Sequence, residues 1–173
     1  MYEAANRLGE MRGDLIGCMC AITGKTVVEG DVEVSEGIDY ARFYTTSMKL
    51  FADLPDVDIT PEGTVLVISP WNFPCAIPIG GIVAALAGGN TVILKPATVA
   101  APVAWLFAQA FWDAGVPKEA LQVIITDRDA LKVLTSAPAI KHIILTGGTD
   151  TAQNILAVIL LLRCLQRQGA RTL

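Results

Sequence analysis

The chain has 173 residues, of which 53% are apolar and 17% charged, with a formal net charge of −4. That length suits one domain with a sizeable core, and an acidic balance with no basic stripe excludes nucleic acid as a partner. Four cysteines (Cys18, Cys20, Cys75, Cys164) without a C-x-x-C pair, beside the single histidine His142, exclude a zinc centre and predict reduced thiols in a cytoplasmic setting.

In chain order, two helices are predicted first, over residues 3–22 and 32–52, separated at Glu29-Gly30-Asp31. Residues 54–63 hold Pro55, Pro61 and several acids and read as a loop. Residues 64–68 are an apolar, β-branched strand, 77–86 a buried helix stopped by Gly88-Gly89, and 91–94 a second strand. A helix over 99–114 follows, closed by Gly115 and Pro117. Segments 121–125, 129–135, 141–145 and 149–162 repeat strand, helix, strand, helix. Apolar strands separated by helices predict an α/β fold with a doubly wound parallel sheet. Residues 63–94 carry no charge, yet Pro70, Pro74, Pro78, Gly80 and Gly81 break the run. A lipid-exposed corner there would leave backbone groups unsatisfied, so no membrane span is expected. His142, in an apolar strand, reads as structural.

The run Val65-Leu-Val-Ile-Ser-Pro-Trp-Asn-Phe-Pro-Cys75 leads from the first strand into a rigid corner. Pro70 and Pro74 fix φ at two points and push the preceding residues out of the helical region. Trp71 and Phe73 are expected to pin the corner on either side of Asn72. An amide held this way in a dry cleft suits the stabilisation of an oxyanion. Ligands of such a sheet bind beyond the carboxyl ends of its strands, where Pro70–Asn72, Lys95 and Thr146–Gly148 fall. No G-x-G-x-x-G is present.

The corner, followed by Thr91-Val-Ile-Leu-Lys-Pro96, resembles the aldehyde dehydrogenase superfamily. So do Arg12-Gly-Asp-Leu-Ile-Gly-Cys18, Glu33-Val-Ser-Glu36, Asp39-Tyr-Ala-Arg-Phe-Tyr44, Ala85-Leu-Ala-Gly-Gly-Asn90, Ala114-Gly-Val-Pro117 and Leu145-Thr-Gly147, in that family's order. The wording is most similar to the branch that oxidises L-glutamate γ-semialdehyde, often fused to a proline dehydrogenase. The resemblance implies a variant Rossmann domain over residues 1–157 that binds NAD. It implies Lys95 at the adenosine ribose and Ile68, Ser69, Pro70 and Trp71 along the cofactor. Gly147 and Gly148 would lie beside the pyrophosphate at a helix N-terminus, with Asn72 at the oxygen of a small aldehyde substrate. Three positions depart from the family pattern: Gly148 replaces a serine, Ala152 stands near a glycine, and Thr98 and Val99 occupy the place of acids that hold ribose hydroxyls.

The same resemblance implies a thiolate that attacks the aldehyde, a nicotinamide that accepts hydride, and a glutamate that activates water. Neither family motif that carries the thiol and the glutamate occurs in the 173 residues. Cys75 follows the corner but has an apolar setting with no base or cation, which reads as an inert core thiol. Cys18 and Cys20 lie on a helix that the family uses structurally. Residues 151–173 hold three arginines and no acid, against a net −7 for residues 1–150. That change predicts a divergent tail over 158–173, either frameshifted or truncated relative to the family's Glu-Thr-Gly-Gly-Lys strand, or an apolar helix extension whose basic end suits its C-terminal dipole. A chain without the thiol is expected to be inactive alone, and to self-associate or dock on an intact relative.

Overall fold

The computed structural model describes the backbone of residues 1–169 and the side chains of residues 1–159. The helices are α1 (Tyr2–Glu10), α2 (Arg12–Thr23), α3 (Val27–Ala52), α4 (Ala76–Ala87), α5 (Ala101–Asp113), α6 (Arg128–Ser136) and α7 (Thr149–Gly169). The strands are β1 (Thr64–Ser69), β2 (Thr91–Pro96), β3 (Leu121–Val123) and β4 (Ile140–Leu145). The expected tail over 158–173 starts within α7, and residues 170–173 lie outside the described residues.

All strand pairs are parallel and the order is β3-β2-β1-β4. Alternation along the strands sends Val65, Val67, Val92 and Leu94 into one core, shared with Ile79, Ile82, Phe107 and Phe111 of α4 and α5. Leu66, Ile68 and Ile93 face the other way, onto Leu131 and Leu134 of α6 and Ile155 of α7. The sheet is therefore wound on both faces, as the sequence predicts. The chain steps outward from β1 to β3, then returns through α6 to place β4 on the far side of β1. The reversal puts a switch point between β1 and β4, where the loops leaving the two strands diverge and a crevice opens.

The leading helices differ from expectation. There are three rather than two, and the break falls at Gly24-Lys25-Thr26 instead of Glu29-Gly30-Asp31. Gly24 ends α2 in the left-handed conformation, at φ 71°. Thr26 then starts α3 with a capping box: Glu29 N donates to Thr26 Oγ1 at 3.3 Å, and Thr26 N donates to Glu29 Oε2 at 2.9 Å. Gly30 stays helical because α2 passes close by; a Cβ there would sit 3.3 Å from Ile16 Cγ2. A second interruption at Met11 separates α1 from α2.

Candidate functional site

The carboxyl ends of β1, β2 and β4 open onto a crevice of about 620 Å³. Every site residue expected from the sequence lines it: Ile68, Ser69, Pro70, Trp71, Asn72, Lys95, Gly147 and Gly148. Other grooves are larger, at about 710 Å³ on α3 and about 660 Å³ between α6 and α7, but neither collects the strand ends.

Parallel pairing continues to the mouth of the crevice. Ala97 N donates to Ser69 O and Thr146 N to Ile68 O, each at 3.0 Å. Ser69 is 5% exposed and, among the described residues, its hydroxyl has no hydrogen-bond partner. A buried orphan hydroxyl on a cavity wall is costly unless something in the cavity engages it. Lys95 lies between buried Leu94 and Pro96, on the face turned toward α6 and α7. Partial burial pushes its ammonium pKa down, because desolvation disfavours the charged form. Among the described residues Lys95 makes no ion pair.

The Pro70–Cys75 corner is held differently from the sequence expectation. Trp71 and Phe73 are 56% and 42% exposed, and Asn72 is exposed too, so the aromatics do not pin the corner inside a dry cleft. The anchor is Glu33 of α3, which sequence reasoning missed as a functional residue. Its side chain is 1% exposed, and Oε1 accepts hydrogen bonds from Cys75 N at 2.7 Å and Ala76 N at 3.1 Å. A carboxylate thus caps the start of α4 from a neighbouring helix, where the macrodipole favours negative charge. Lys25 Nζ lies 3.1 Å from Glu33 Oε2 and 4.2 Å from the centre of the Phe73 ring. One cation therefore neutralises the buried acid and covers the ring. The signal was legible: Glu33 shares the buried stripe of Gly30, Val34, Gly37, Ile38 and Ala41 at helical spacing. A charge inside such a stripe needs a partner.

Gly147 and Gly148 form the turn into α7, and Gly148 O accepts from Thr151 N at 3.1 Å and Ala152 N at 3.2 Å. Neither glycine has positive φ. A Cβ on Gly148 would meet nothing within 4 Å, so the chain's own packing does not demand glycine there. Open space at a helix N-terminus suits an anion that approaches the backbone closely. Arg128, the first residue of α6, also lines the crevice and was not expected from the sequence.

Cys75 sits in the apolar setting expected of it, and the side chain of Cys164 lies outside the described residues. Cys75 is fully buried, and burial together with the Glu33 charge pushes its thiol well above the ordinary range. Burial also raises the Cys18 thiol. Neither is poised as a nucleophile. His142 is more exposed than its apolar strand suggested; its Nε2 lies 2.6 Å from Glu62 Oε2 and ties the loop before β1 to the edge strand β4. Among the described residues there is no cluster of His, Cys, Asp or Glu that could hold a metal, and no helix long and apolar enough to cross a membrane.

Comparison with known proteins agrees with this geometry. The chain is 32% identical over 166 residues to 1-pyrroline-5-carboxylate dehydrogenase of Geobacillus sp. (strain WCH70), covering 90% of the chain and 32% of that protein. It is 33% identical over 153 residues to the bifunctional protein PutA of Salmonella typhimurium, covering 88% of the chain and 11% of the relative. Among solved structures, proline utilization A from Corynebacterium freiburgense superposes with a TM-score of 0.87 at 40% identity, over 91% of this chain and 16% of that one. An NAD-dependent benzaldehyde dehydrogenase from Corynebacterium glutamicum superposes with a TM-score of 0.83 at 25% identity, over 91% of this chain and 37% of its own. The chain thus spans about a third of the first relative and about a tenth of the second. The aldehyde dehydrogenase family pattern matches residues 1–164, and the chain belongs to that family.

Proposed function

We propose that residues 1–157 are the dinucleotide-binding part of an aldehyde dehydrogenase that oxidises L-glutamate γ-semialdehyde to L-glutamate in proline catabolism, with NAD as cofactor in the cytoplasm. The observation that carries this reading is the crevice at the switch point, which gathers Lys95, the orphan hydroxyl of Ser69, Asn72 and the open Gly147-Gly148 turn. These groups fit a ligand with a ribose and a pyrophosphate. Lys95 would meet the adenosine ribose, Ile68 to Trp71 would flank the cofactor, and Gly148 with the N-terminus of α7 would receive the pyrophosphate. NAD, when bound, supplies the hydride acceptor for aldehyde oxidation. The side-chain amide of Asn72 would donate to the substrate oxygen as negative charge builds on it.

The relatives named 1-pyrroline-5-carboxylate dehydrogenase and PutA support the substrate class. The chain carries neither the thiol motif nor the glutamate motif, and Cys75 is buried with a raised thiol pKa. The expected result is therefore no NADH formation by residues 1–173 with glutamate γ-semialdehyde. Joined to the catalytic part of a relative, the chain should turn over, and Asn72→Ala should cut turnover by about 10²–10³. Steady turnover by the short chain, abolished by Cys75→Ser, would overturn this assignment. A second reading, an inactive piece that docks on an intact relative, is favoured by the exposure of Trp71 and Phe73 beside the crevice.

The tail fits a shift of reading frame. Gln166-Arg-Gln-Gly-Ala-Arg171 can be encoded as CAG AGA CAG GGG GCA AGA. Read from the third base, those codons give Glu-Thr-Gly-Gly-Lys, the strand that family resemblance places next. Sequencing the coding DNA decides the matter: other codons, with no such strand in any frame, would remove the frameshift.

A further inference from the structure

We propose that the groove on α3 is a docking surface for the C-terminal segment of a second copy of this chain. The groove, of about 710 Å³, is lined by Val32, Glu36, Asp39, Tyr40, Phe43 and Tyr44, and Ser35 completes it. Val32 and Phe43 are each 63% exposed, which is a large apolar area for a helix face. Tyr40 and Tyr44 stack with ring centres 6.1 Å apart, and Phe43 meets Tyr44 edge to face at 5.4 Å.

The charge of the groove is negative. Glu36 and Asp39 are the charged residues of its lining, and among the described residues neither makes an ion pair. Tyr40 Oη donates to Glu36 Oε1 at 2.9 Å, which leaves the second carboxylate oxygen for another donor. Other acids on this part of α3 are already matched: Asp31 by Arg12, Glu33 by Lys25, and Glu29 in the capping box. Arg42 lines the neighbouring groove, beside Glu10 and Asp39, and does not line this one.

The complement is written in the tail. Residues 158–173 hold five leucines, three arginines and no acid. The apolar run Val158-Ile-Leu-Leu-Leu162 is followed by Arg163, Arg167 and Arg171 at intervals of four. Arginine suits a groove of rings and carboxylates, because its planar guanidinium stacks on aromatic faces and its fork of donors pairs with carboxylate oxygens. The leucines suit the exposed Val32 and Phe43. An amphipathic segment in an apolar groove, oriented by charges, is a recurrent mode of recognition. Residues 1–150 carry −7 and residues 151–173 carry +3, so tail and body also attract each other between copies.

The geometry assigns the groove to a second copy rather than to the chain's own tail. Helix α3 shares the core of α4, Val65 and Val67, whereas α7 packs through Ile155 onto Leu66 and Ile68. The two helices therefore lie on opposite faces of the sheet. Mutual exchange, each tail in the other copy's groove, closes a two-fold dimer with both grooves filled. The complementarity belongs to this chain whichever reading frame produced its tail.

The test compares three 173-residue chains by sedimentation equilibrium: the parent, the groove variant Glu36→Arg/Asp39→Arg, and the tail variant Arg163→Glu/Arg167→Glu. The parent should form a dimer at micromolar concentration that weakens as salt is added. Each variant alone should dimerise at least about tenfold more weakly, since like charges then meet in both grooves. An equimolar mixture of the two variants should recover the parent affinity, because each groove again receives a tail of opposite sign. The milder groove pair Glu36→Gln/Asp39→Asn should weaken the dimer in the same direction, and it serves if a charge-reversed chain folds poorly. A monomeric parent would overturn the proposal. So would folded variants that associate as tightly as the parent, or a folded mixture that recovers nothing.

Discussion

At the residue scale, Glu33 shows how one buried charge shapes the candidate site. It satisfies two backbone donors at the start of α4, and Lys25 balances it. Removing one partner of a buried charge network leaves the others uncompensated. Glu33→Ala should therefore destabilise the chain by about 3–5 kcal/mol in urea unfolding. Glu33→Gln, which keeps an acceptor for Cys75 N and Ala76 N, should cost clearly less. An alanine variant within about 0.5 kcal/mol of the parent would rule Glu33 out as the anchor. Lys95 carries a prediction about pH. Its pKa is lowered from 10.5 by burial, so it loses its charge earlier than an exposed lysine as pH rises. Affinity for an anionic dinucleotide should fall across that window below 10.5, and Lys95→Ala should remove this pH dependence while weakening binding by about 1–3 kcal/mol at neutral pH. The sign for folding is opposite. With a lowered folded pKa, the unfolded state holds more protons in that window, so the Lys95 contribution to stability rises with pH.

At the element scale, the strands and the later helices were legible because each signal was local and agreed with its neighbours. Continuous apolar strands, Gly88-Gly89 after α4 and Gly115 after α5 all marked real boundaries. The leading helices differ from expectation because Gly30, a breaker when taken alone, packs against Ile16 and stays helical. Thr26-Val-Val-Glu29 spells a capping box, which overrides a single glycine when a neighbouring helix approaches as closely as Ile16 does. Thr26→Ala should cost about 1 kcal/mol of stability, read as a lower urea midpoint with an unchanged slope. The same box lowers the Glu29 pKa, chiefly through the Thr26 backbone bond. Its stabilisation is present at neutral pH and is lost as pH falls through that lowered value. A Thr26→Ala chain with the parent midpoint would show that α3 starts for another reason.

At the scale of the whole molecule, the sequence located the crevice residues because strand ends in a doubly wound sheet converge on the switch point. It marks Glu33 as a charge inside a buried stripe but not its place at the corner, which depends on how α3 packs, and it does not reveal Arg128, which α6 brings to the crevice. Nor did it show that Trp71, Asn72 and Phe73 remain exposed. Among the described residues, Trp71 and Phe73, with Ile144 on the edge strand β4, leave apolar surface and a strand edge uncovered. Such edges template pairing with other chains. Sedimentation at micromolar concentration should therefore show self-association; a monodisperse monomer would contradict it. The central claim, that the switch-point crevice is the dinucleotide site, is tested most directly by amide chemical-shift mapping during NAD addition. The account predicts saturable shifts confined to residues 68–72, 95–97, 128 and 146–151. Shifts centred on the α3 groove around Val32 and Tyr40, or no shifts at all in a folded chain, would contradict it.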